Sequence, residues 1–537
     1  MSELAMRSAV VLALLFGLVF AVGAGAMTYY DLPLQYALLF TLVVVGLQYL
    51  AGPYILQFTF KVGWVQPEEV SPRFAAWLRE ACQRNRIPVP RFGVIPDGNP
   101  TAFTFGHVPA DARLVVSQGL IDCLEPEELE AVVAHELGHI INWDFVTMTV
   151  AQCVPLLLYM VYSFTTSDRR KGDSAYAWLV GVGAYGAYIL SQFIVLLLSR
   201  VREYFADNRS AHITHDPNAL ATALVKIAYG LARPVAEDPE AKDKGKKPEL
   251  GLARRAGALG IADARQSTAF AIAASSPSGF SPDLMARAMQ WDLRNPWARF
   301  YEVLSTHPLT ARRIHALSGL CRMVGQEPTV PMPRTGAQYN LWPAVRRDVL
   351  IAALPWLGAL IGSGFAVQSI LHFESLALSA LGNLLLGFGV GWLARLVLSY
   401  PNDHTPAKVE DLVTQVDVSH IHAIPVVMEG LIIGRGVPGC WFSEDLVLQD
   451  DGGFVTLDYR QPLGILDLLQ GLFGAKKLLG KRVRVHGWFR RGPNPVVEVL
   501  VIRSEDGQVV HCYYQVFLKA LSGLAIVAGA LMTLLAR

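Results

Sequence analysis

His135, Glu136 and His139 stand in the stretch Ala134-His135-Glu136-Leu137-Gly138-His139, an HExxH pattern. On a helix, residues four apart project from one face. Two imidazoles so placed can share a metal ion, and the glutamate between them can reach a water on it. Hydrolysis at zinc needs three protein ligands and one open position. The third ligand must come from elsewhere, and Glu203 is the best candidate, with Asp207 one helical turn beyond it on the same face. One of these carboxylates can ligate the metal while the other accepts an N–H from a ligand imidazole and fixes its tautomer. Zinc lowers the pKa of its water to roughly 7. Glu136 would act as general base on that zinc-activated water and pass the proton to a leaving amine. His307, ahead of Pro308 in a turn, is a candidate donor to the oxyanion. The strand expected at Thr101–Gly106 offers an edge to which a substrate peptide could add as a further strand. Thr101, Ala102 and Phe103 are therefore candidate substrate-binding residues.

These residues must be positioned by a chain rich in apolar runs. Hydrophobic residues make up 52% of the 537 residues against 17% charged, and the mean hydropathy is +0.34. Runs of roughly 18 or more residues, long enough to span hydrocarbon, occur near 5–27, 34–56, 145–164, 176–199, 349–370, 376–400 and 513–536. Seven crossings are expected, and Lys519 makes the last the weakest. The first run is longer than a signal-peptide core and is read as a signal anchor. The HExxH helix leads straight into the third run, and the next two runs form a hairpin that returns the chain to Glu203. Arg200, Arg202, Arg346, Arg347 and Arg395 flank segments on that side, which the positive-inside rule makes cytoplasmic. The connection through Arg169, Arg170 and Lys171 disagrees. Six cysteines without a CxxC pair argue against a disulfide framework or a thiolate zinc site and suit a reducing compartment.

The expected domains are two membrane helices in 1–60, a hydrolytic domain in 61–343 that includes the hairpin 145–199, two membrane helices in 344–400, a β-rich domain in 405–512 and a last membrane helix in 513–537. In the second of these, a helix is expected over Pro72–Arg84, strands over Arg91–Ile95, Ala102–Gly106 and Arg113–Ser117, and the HExxH helix over Glu125–Asn142. In 405–512, five strands with a leucine-patterned helix at Leu463–Leu479 between the third and fourth follow the order of an OB-type barrel. Basic residues from Lys476 to Arg491 are read foremost as a solvated face, then as a site for anionic headgroups or a protein partner. A net charge of +1 gives no sign of nucleic acid, and none is expected as a partner. Gly358, Gly362, Gly387, Gly389 and Gly391 suggest close helix packing. The charged stretch Pro234–Pro248 reads as a mobile loop and a site of self-cleavage.

Three stretches together, HELGHIINWD from His135, REYFAD from Arg202 and STHPLTARRI from Ser305, resemble the M48 membrane zinc metallopeptidases, HtpX-like and CAAX prenyl protease-like. The resemblance runs from about Asn99 to Ile314. It implies an α-helical integral membrane protein with an α+β zincin-type (gluzincin) metallopeptidase domain, to which this chain adds the C-terminal OB-like β-barrel. It also implies His135, His139 and Glu203 as ligands of one zinc per chain, Glu136 as base and Asp207 behind the ligands. Asn142, His307 and Arg313 are implied near the substrate cleft. The chain departs from the family pattern in having Thr101-Ala102-Phe103 for Asn-Ala-Phe and Pro308-Leu309 for Pro-Pro.

The expected function is a zinc endopeptidase, embedded in the cell membrane, that hydrolyses membrane or misfolded proteins at the cytoplasmic face. Prenyl-peptide processing is the runner-up, and a non-catalytic membrane scaffold or sensor acting through the OB-like domain is the alternative of another class. Plainer readings exist for single residues. Asn142 can simply cap its helix, Asp207 can pair with Arg202 or Arg209, His307 can satisfy a turn, and His212 and His215 are expected on the surface.

Overall fold

The computed structural model describes residues 34–97, 100–167, 175–232, 282–330, 332, 340–369, 376–435, 444–492 and 495–536. The first apolar run, the basic connection near Arg169 and the stretch Pro234–Pro248 lie outside them. The described residues fall in two compact units, one built from 34–231 and 300–332, the other from 282–299 and 340–536.

In the first unit, the helix Leu34–Thr59 leads into a four-stranded sheet. Its strands are β1 (Gly63–Trp64), β2 (Arg91–Ile95), β3 (Ala102–Phe105) and β4 (Arg113–Ser117), in the order β1-β2-β4-β3. β2 and β4 are parallel, β3 is antiparallel to β4, and β3 forms an edge. Phe60, Ile95, Phe103, Phe105 and Val115 make the core beneath it. The HExxH helix occupies Pro126–Ile141 for local reasons. Pro126 is pre-set for the first turn, the Glu125 N–H donates to the Glu128 carboxylate, and Glu127 and Glu128 face the positive end of the helix. It ends at Asn142. Trp143 then takes a left-handed conformation, φ 59°, and the chain turns through 62° into the helix Asp144–Ser167.

The next helix, Ala175–Thr214, has 40 residues and packs against both. At 1.5 Å per residue it is about 60 Å long, twice the roughly 30 Å of bilayer hydrocarbon, so part of it must project beyond the membrane. Gly138 decides how close it comes: a Cβ there would meet the Ala206 Cα at 3.1 Å. Four described helices contain segments apolar and long enough to cross a membrane: Gly181–Thr214, Trp342–Val367, Ala377–Ser399 and Tyr514–Leu535. The bent pair Pro126–Ile141 and Asp144–Met160 meets the same test jointly. The second apolar run is the helix Leu34–Thr59.

In the second unit, the helices Trp342–Ser369, Leu376–Ser399 and Tyr514–Leu535 pack together. The glycines let their backbones touch, because a Cβ at Gly358 would strike the Gly387 carbonyl and one at Gly391 the Leu354 carbonyl. Between the last two helices stands a seven-stranded sheet: β5 (Thr405–Pro406), β6 (Ile424–Arg435), β7 (Leu446–Asp450), β8 (Gly453–Asp458), β9 (Arg482–Arg491), β10 (Pro495–Ser504) and β11 (Val509–His511). β6 pairs with β7, β7 with β8, β8 in parallel with β10, β10 with β9, and β9 back with β6.

Lys476, Lys477, Arg482 and Arg484 stay exposed as a solvated face, but several of the basic residues are paired and one is buried. Arg484 pairs with Glu429, Lys481 with Asp506, and Arg490 with buried Glu498. Arg491 is fully buried with its guanidinium over Trp291 and donates to the carbonyls of Ala288 and Val413. Trp291 itself donates to the Val418 carbonyl at 2.8 Å, so the helix Pro282–Arg294 belongs to this unit. The alternation of β9 could not reveal this, because the partner of Arg491 lies 200 residues away.

Asp445 and Asp458 are a second tertiary feature. Burial holds both carboxyls above the usual carboxylate range, and the charge of Asp458 adds to it at Asp445, which lies well above. A folded pKa above the unfolded one means that ionisation opposes folding. The resulting stability is fully present below about pH 4 and is lost as pH rises through the folded pKa. Asp445→Asn keeps an acceptor for the Tyr459 N–H. It is expected to raise stability by about 1 kcal/mol at neutral pH, with the gain vanishing toward about pH 4. Thermal unfolding of the detergent-solubilised chain across pH checks this.

Candidate metal centre and active site

His135 and His139 are on the helix Pro126–Ile141, and Glu203 comes to them from the helix Ala175–Thr214. The two Nε2 atoms are 3.2 Å apart. Glu203 places one carboxylate oxygen 3.6 Å from the His135 Nε2 and the other 3.6 Å from the His139 Nε2. Each histidine has its other nitrogen against a carboxylate: His135 Nδ1 is 3.0 Å from Asp207 Oδ1, and His139 Nδ1 is 2.5 Å from Asp144 Oδ2. An Nδ1–H donated to each carboxylate leaves both Nε2 atoms as bare lone pairs facing each other and an anion. A metal ion shared by the two Nε2 atoms and Glu203 would satisfy all three at once. Metal–nitrogen bonds of 2.0–2.1 Å at tetrahedral angles separate two ligand atoms by about 3.3 Å, close to the spacing found. The donor set of two imidazoles and a carboxylate therefore fits a zinc ion, and it is the one group of three or more metal-capable side chains among the described residues.

The surroundings hold these groups in place. Arg313, 1% exposed, gives Asp207 two hydrogen bonds of 2.6 and 2.9 Å and lies 3.4 Å from Glu203. Burial works against its charge, and the Asp207 carboxylate outweighs burial and raises its pKa. Arg202 pairs with Asp144 at 2.7 Å. Glu136 is buried and accepts a 3.0 Å hydrogen bond from the Thr104 hydroxyl on edge strand β3. His307 Nδ1 lies 3.3 Å from Glu203.

The family model for "Peptidase family M48" matches residues 71–321. A protein called "Protease HtpX homolog" from Methanothermobacter thermautotrophicus is 39% identical over 232 residues, covering 43% of this chain and 88% of the relative. This chain belongs to peptidase family M48. "Protease HtpX homolog 2" from Methanosarcina acetivorans is 32% identical over 220 residues, 40% of this chain and 74% of its own length. A solved structure titled "Crystal Structure of S. mikatae Ste24p" aligns with a TM-score of 0.36 and 16% identity, over 58% of this chain and 65% of that one. The M48 match ends before the β-rich part of the second unit.

Within this M48 chain, the structure brings His135, His139, Glu203, Asp207, Glu136, His307 and Arg313 into one cluster. Asp207 faces His135 and Arg313 rather than Arg202 or Arg209. Arg313 lies behind the cluster, turned to Asp207. Thr101, Ala102 and Phe103 are buried, and the Phe103 side chain belongs to the sheet core, so only backbone at this edge is placed to meet a peptide. Asn142 ends the HExxH helix, its N–H on the Gly138 carbonyl. His212 and His215 are exposed.

Sequence reasoning missed Asp144, Thr104 and Arg200. Asp144 follows His139 by five residues and reaches it only because the chain bends at Trp143. Arg200, counted as a flanking charge, is buried, and its Nη1 lies 2.7–2.9 Å from the carbonyls of Glu302, Val303 and Ser305. One helix thus carries Glu203 and, a turn earlier, the clamp on the segment leading to His307. Arg200→Ala is expected to cost about 2 kcal/mol of stability and, by loosening His307, to slow cleavage roughly tenfold with metal content unchanged. Thermal unfolding, cleavage rate and bound zinc measured together check it.

Proposed function

We propose that this chain is a membrane-embedded zinc endopeptidase that hydrolyses peptide bonds in membrane or misfolded proteins, with its site on the cytoplasmic side. The observation that carries this reading is the pair of facing Nε2 atoms, 3.2 Å apart and closed by Glu203, with the Glu136 carboxylate one residue along the same helix. His135, His139 and Glu203 would hold the zinc, which when bound supplies the Lewis acidity that makes water nucleophilic at neutral pH. Glu136 receives the proton of the attacking water and delivers it to the leaving nitrogen, and Thr104 orients its carboxylate for both transfers. His307 donates toward the charge that develops on the scissile carbonyl oxygen. Asp207 and Asp144 keep the two imidazoles in the tautomer that presents Nε2 to the metal; Arg313 favours the ionised Asp207 carboxylate, and Arg202 holds Asp144 in place. The substrate backbone would pair with the open edge of β3, a mode that needs no particular side chain at 101–103.

The return of the strand pairing from β9 to β6, the parallel β8–β10 pair and the helical insertion before β9 support an OB-like reading of the β-rich part. The burial of Arg491 and the pairing of Arg484 and Arg490 with glutamates favour a structural or protein-binding role over a nucleic-acid one. The deciding experiment for the hydrolytic reading is cleavage of an unfolded membrane-protein substrate by the purified chain, with and without chelator. Cleavage that stops with chelator and returns with zinc is expected, and cleavage indifferent to chelator would refute it.

A further inference from the structure

The segment Leu463–Leu478 of the β-rich part exposes five large apolar side chains, Leu463, Ile465, Leu466, Leu468 and Leu469, between 41% and 64% accessible. The helix Gly464–Leu469 runs through a π-helical turn at Gln470–Gly474 into Ala475–Leu478. One side is fastened to the sheet. Ala475 and Leu478 are buried, Arg435 donates to the Gly471 carbonyl at 2.7 Å, and Asp467, its one acidic residue, accepts from the Gln461 N–H. The other side is apolar, with Lys476 and Lys477 exposed at its end.

Its position relative to the membrane helices can be read from hydrogen bonds. Gln461 donates to the His511 carbonyl at 2.6 Å and accepts from the Tyr513 N–H, directly before the membrane helix Tyr514–Leu535 begins. Tyr400, one residue past the end of Leu376–Ser399, donates to Glu498 at 2.9 Å, and Gln515 in the first turn of the last helix donates to the same carboxylate. Two membrane helices therefore end at one place on the sheet, and the apolar segment is tied to that place.

We propose that Leu463–Leu478 is an interfacial helix whose exposed leucines and isoleucine lie in the phospholipid monolayer, with Lys476 and Lys477 at the lipid phosphates. Its apolar face, terminal lysines and inward-turned acid suit the headgroup–acyl boundary. Continuity with the entry point of the last membrane helix identifies lipid as the occupant. The helix would brace the β-rich part on the bilayer at a fixed height.

The test uses the full chain in phosphatidylcholine nanodiscs containing a trace of phospholipid with a diazirine near the top of one acyl chain. After irradiation, adducts are mapped by mass spectrometry. The expected result is labelling within Leu463–Leu469 as well as on Tyr514–Leu535. Ile465→Asp combined with Leu469→Asp should lower labelling of the segment roughly tenfold and leave the last helix labelled as in the parent, which also reports that the variant is folded. Ile465→Ser with Leu469→Ser serves if it is not. A parent labelled on Tyr514–Leu535 but not on Leu463–Leu469 would overturn the proposal. So would protein–protein cross-links from this segment in place of lipid adducts, which would assign the face to a second copy or a protein partner. Glu136→Gln should label as the parent does, which separates this placement from the zinc chemistry.

Discussion

Glu136→Gln should bind zinc like the parent and cleave a model substrate about 10³-fold more slowly. The amide is nearly isosteric with the carboxylate and can keep the Thr104 hydrogen bond, since its oxygen still accepts. It touches neither the Nε2 pair nor Glu203, so the metal site stays assembled. What disappears is the base, because an amide takes no proton from water near neutral pH. A small loss in rate, or a loss that follows loss of metal, would assign Glu136 a structural role instead.

The second large effect belongs to the metal ligands and the carboxylates behind them. Glu203→Ala removes the one ligand that is not on the HExxH helix. The remaining two imidazoles are expected to lose zinc during purification, with cleavage at least about 10³-fold down. Asp207→Asn is different in kind. It leaves the three ligands but weakens the hold on the His135 tautomer and frees Arg313 from its ion pair. Zinc affinity should fall by about 10–100-fold, and excess zinc should recover part of the activity. Zinc titration followed by cleavage rate separates the two: Glu203→Ala stays inactive at every zinc concentration, whereas Asp207→Asn recovers. The reverse pattern, recovery of Glu203→Ala and permanent loss in Asp207→Asn, would exchange the roles of Glu203 and Asp207.

The parts legible in the sequence were those whose signals are local. Helical spacing pairs His135 with His139 and Glu203 with Asp207. Pro126 and the early glutamates mark the start of the HExxH helix, and β-branched runs mark β2 and β4. The hidden parts depend on what the fold brings near. Arg200 and Arg491 read as surface charges because nothing beside them in the chain shows the carbonyls they bind. Asp144 is off the helical spacing and reaches His139 through the Trp143 bend. By sequence Thr104 is part of a substrate edge, yet strand alternation turns its hydroxyl to Glu136 and puts Phe103 and Phe105 into the core. Gly138 has the same character: a small residue inside HELGH is uninformative until Ala206 is found against it.

The most direct test is the zinc content of the full-length chain purified in detergent, measured together with its cleavage activity before chelation, after chelation and after zinc return. The expected outcome is about one zinc per chain, as three ligands with an open position imply, with metal and activity lost together and restored together. Full activity in a metal-free chain, or zinc retained undiminished after His135, His139 and Glu203 are all replaced, would contradict the account.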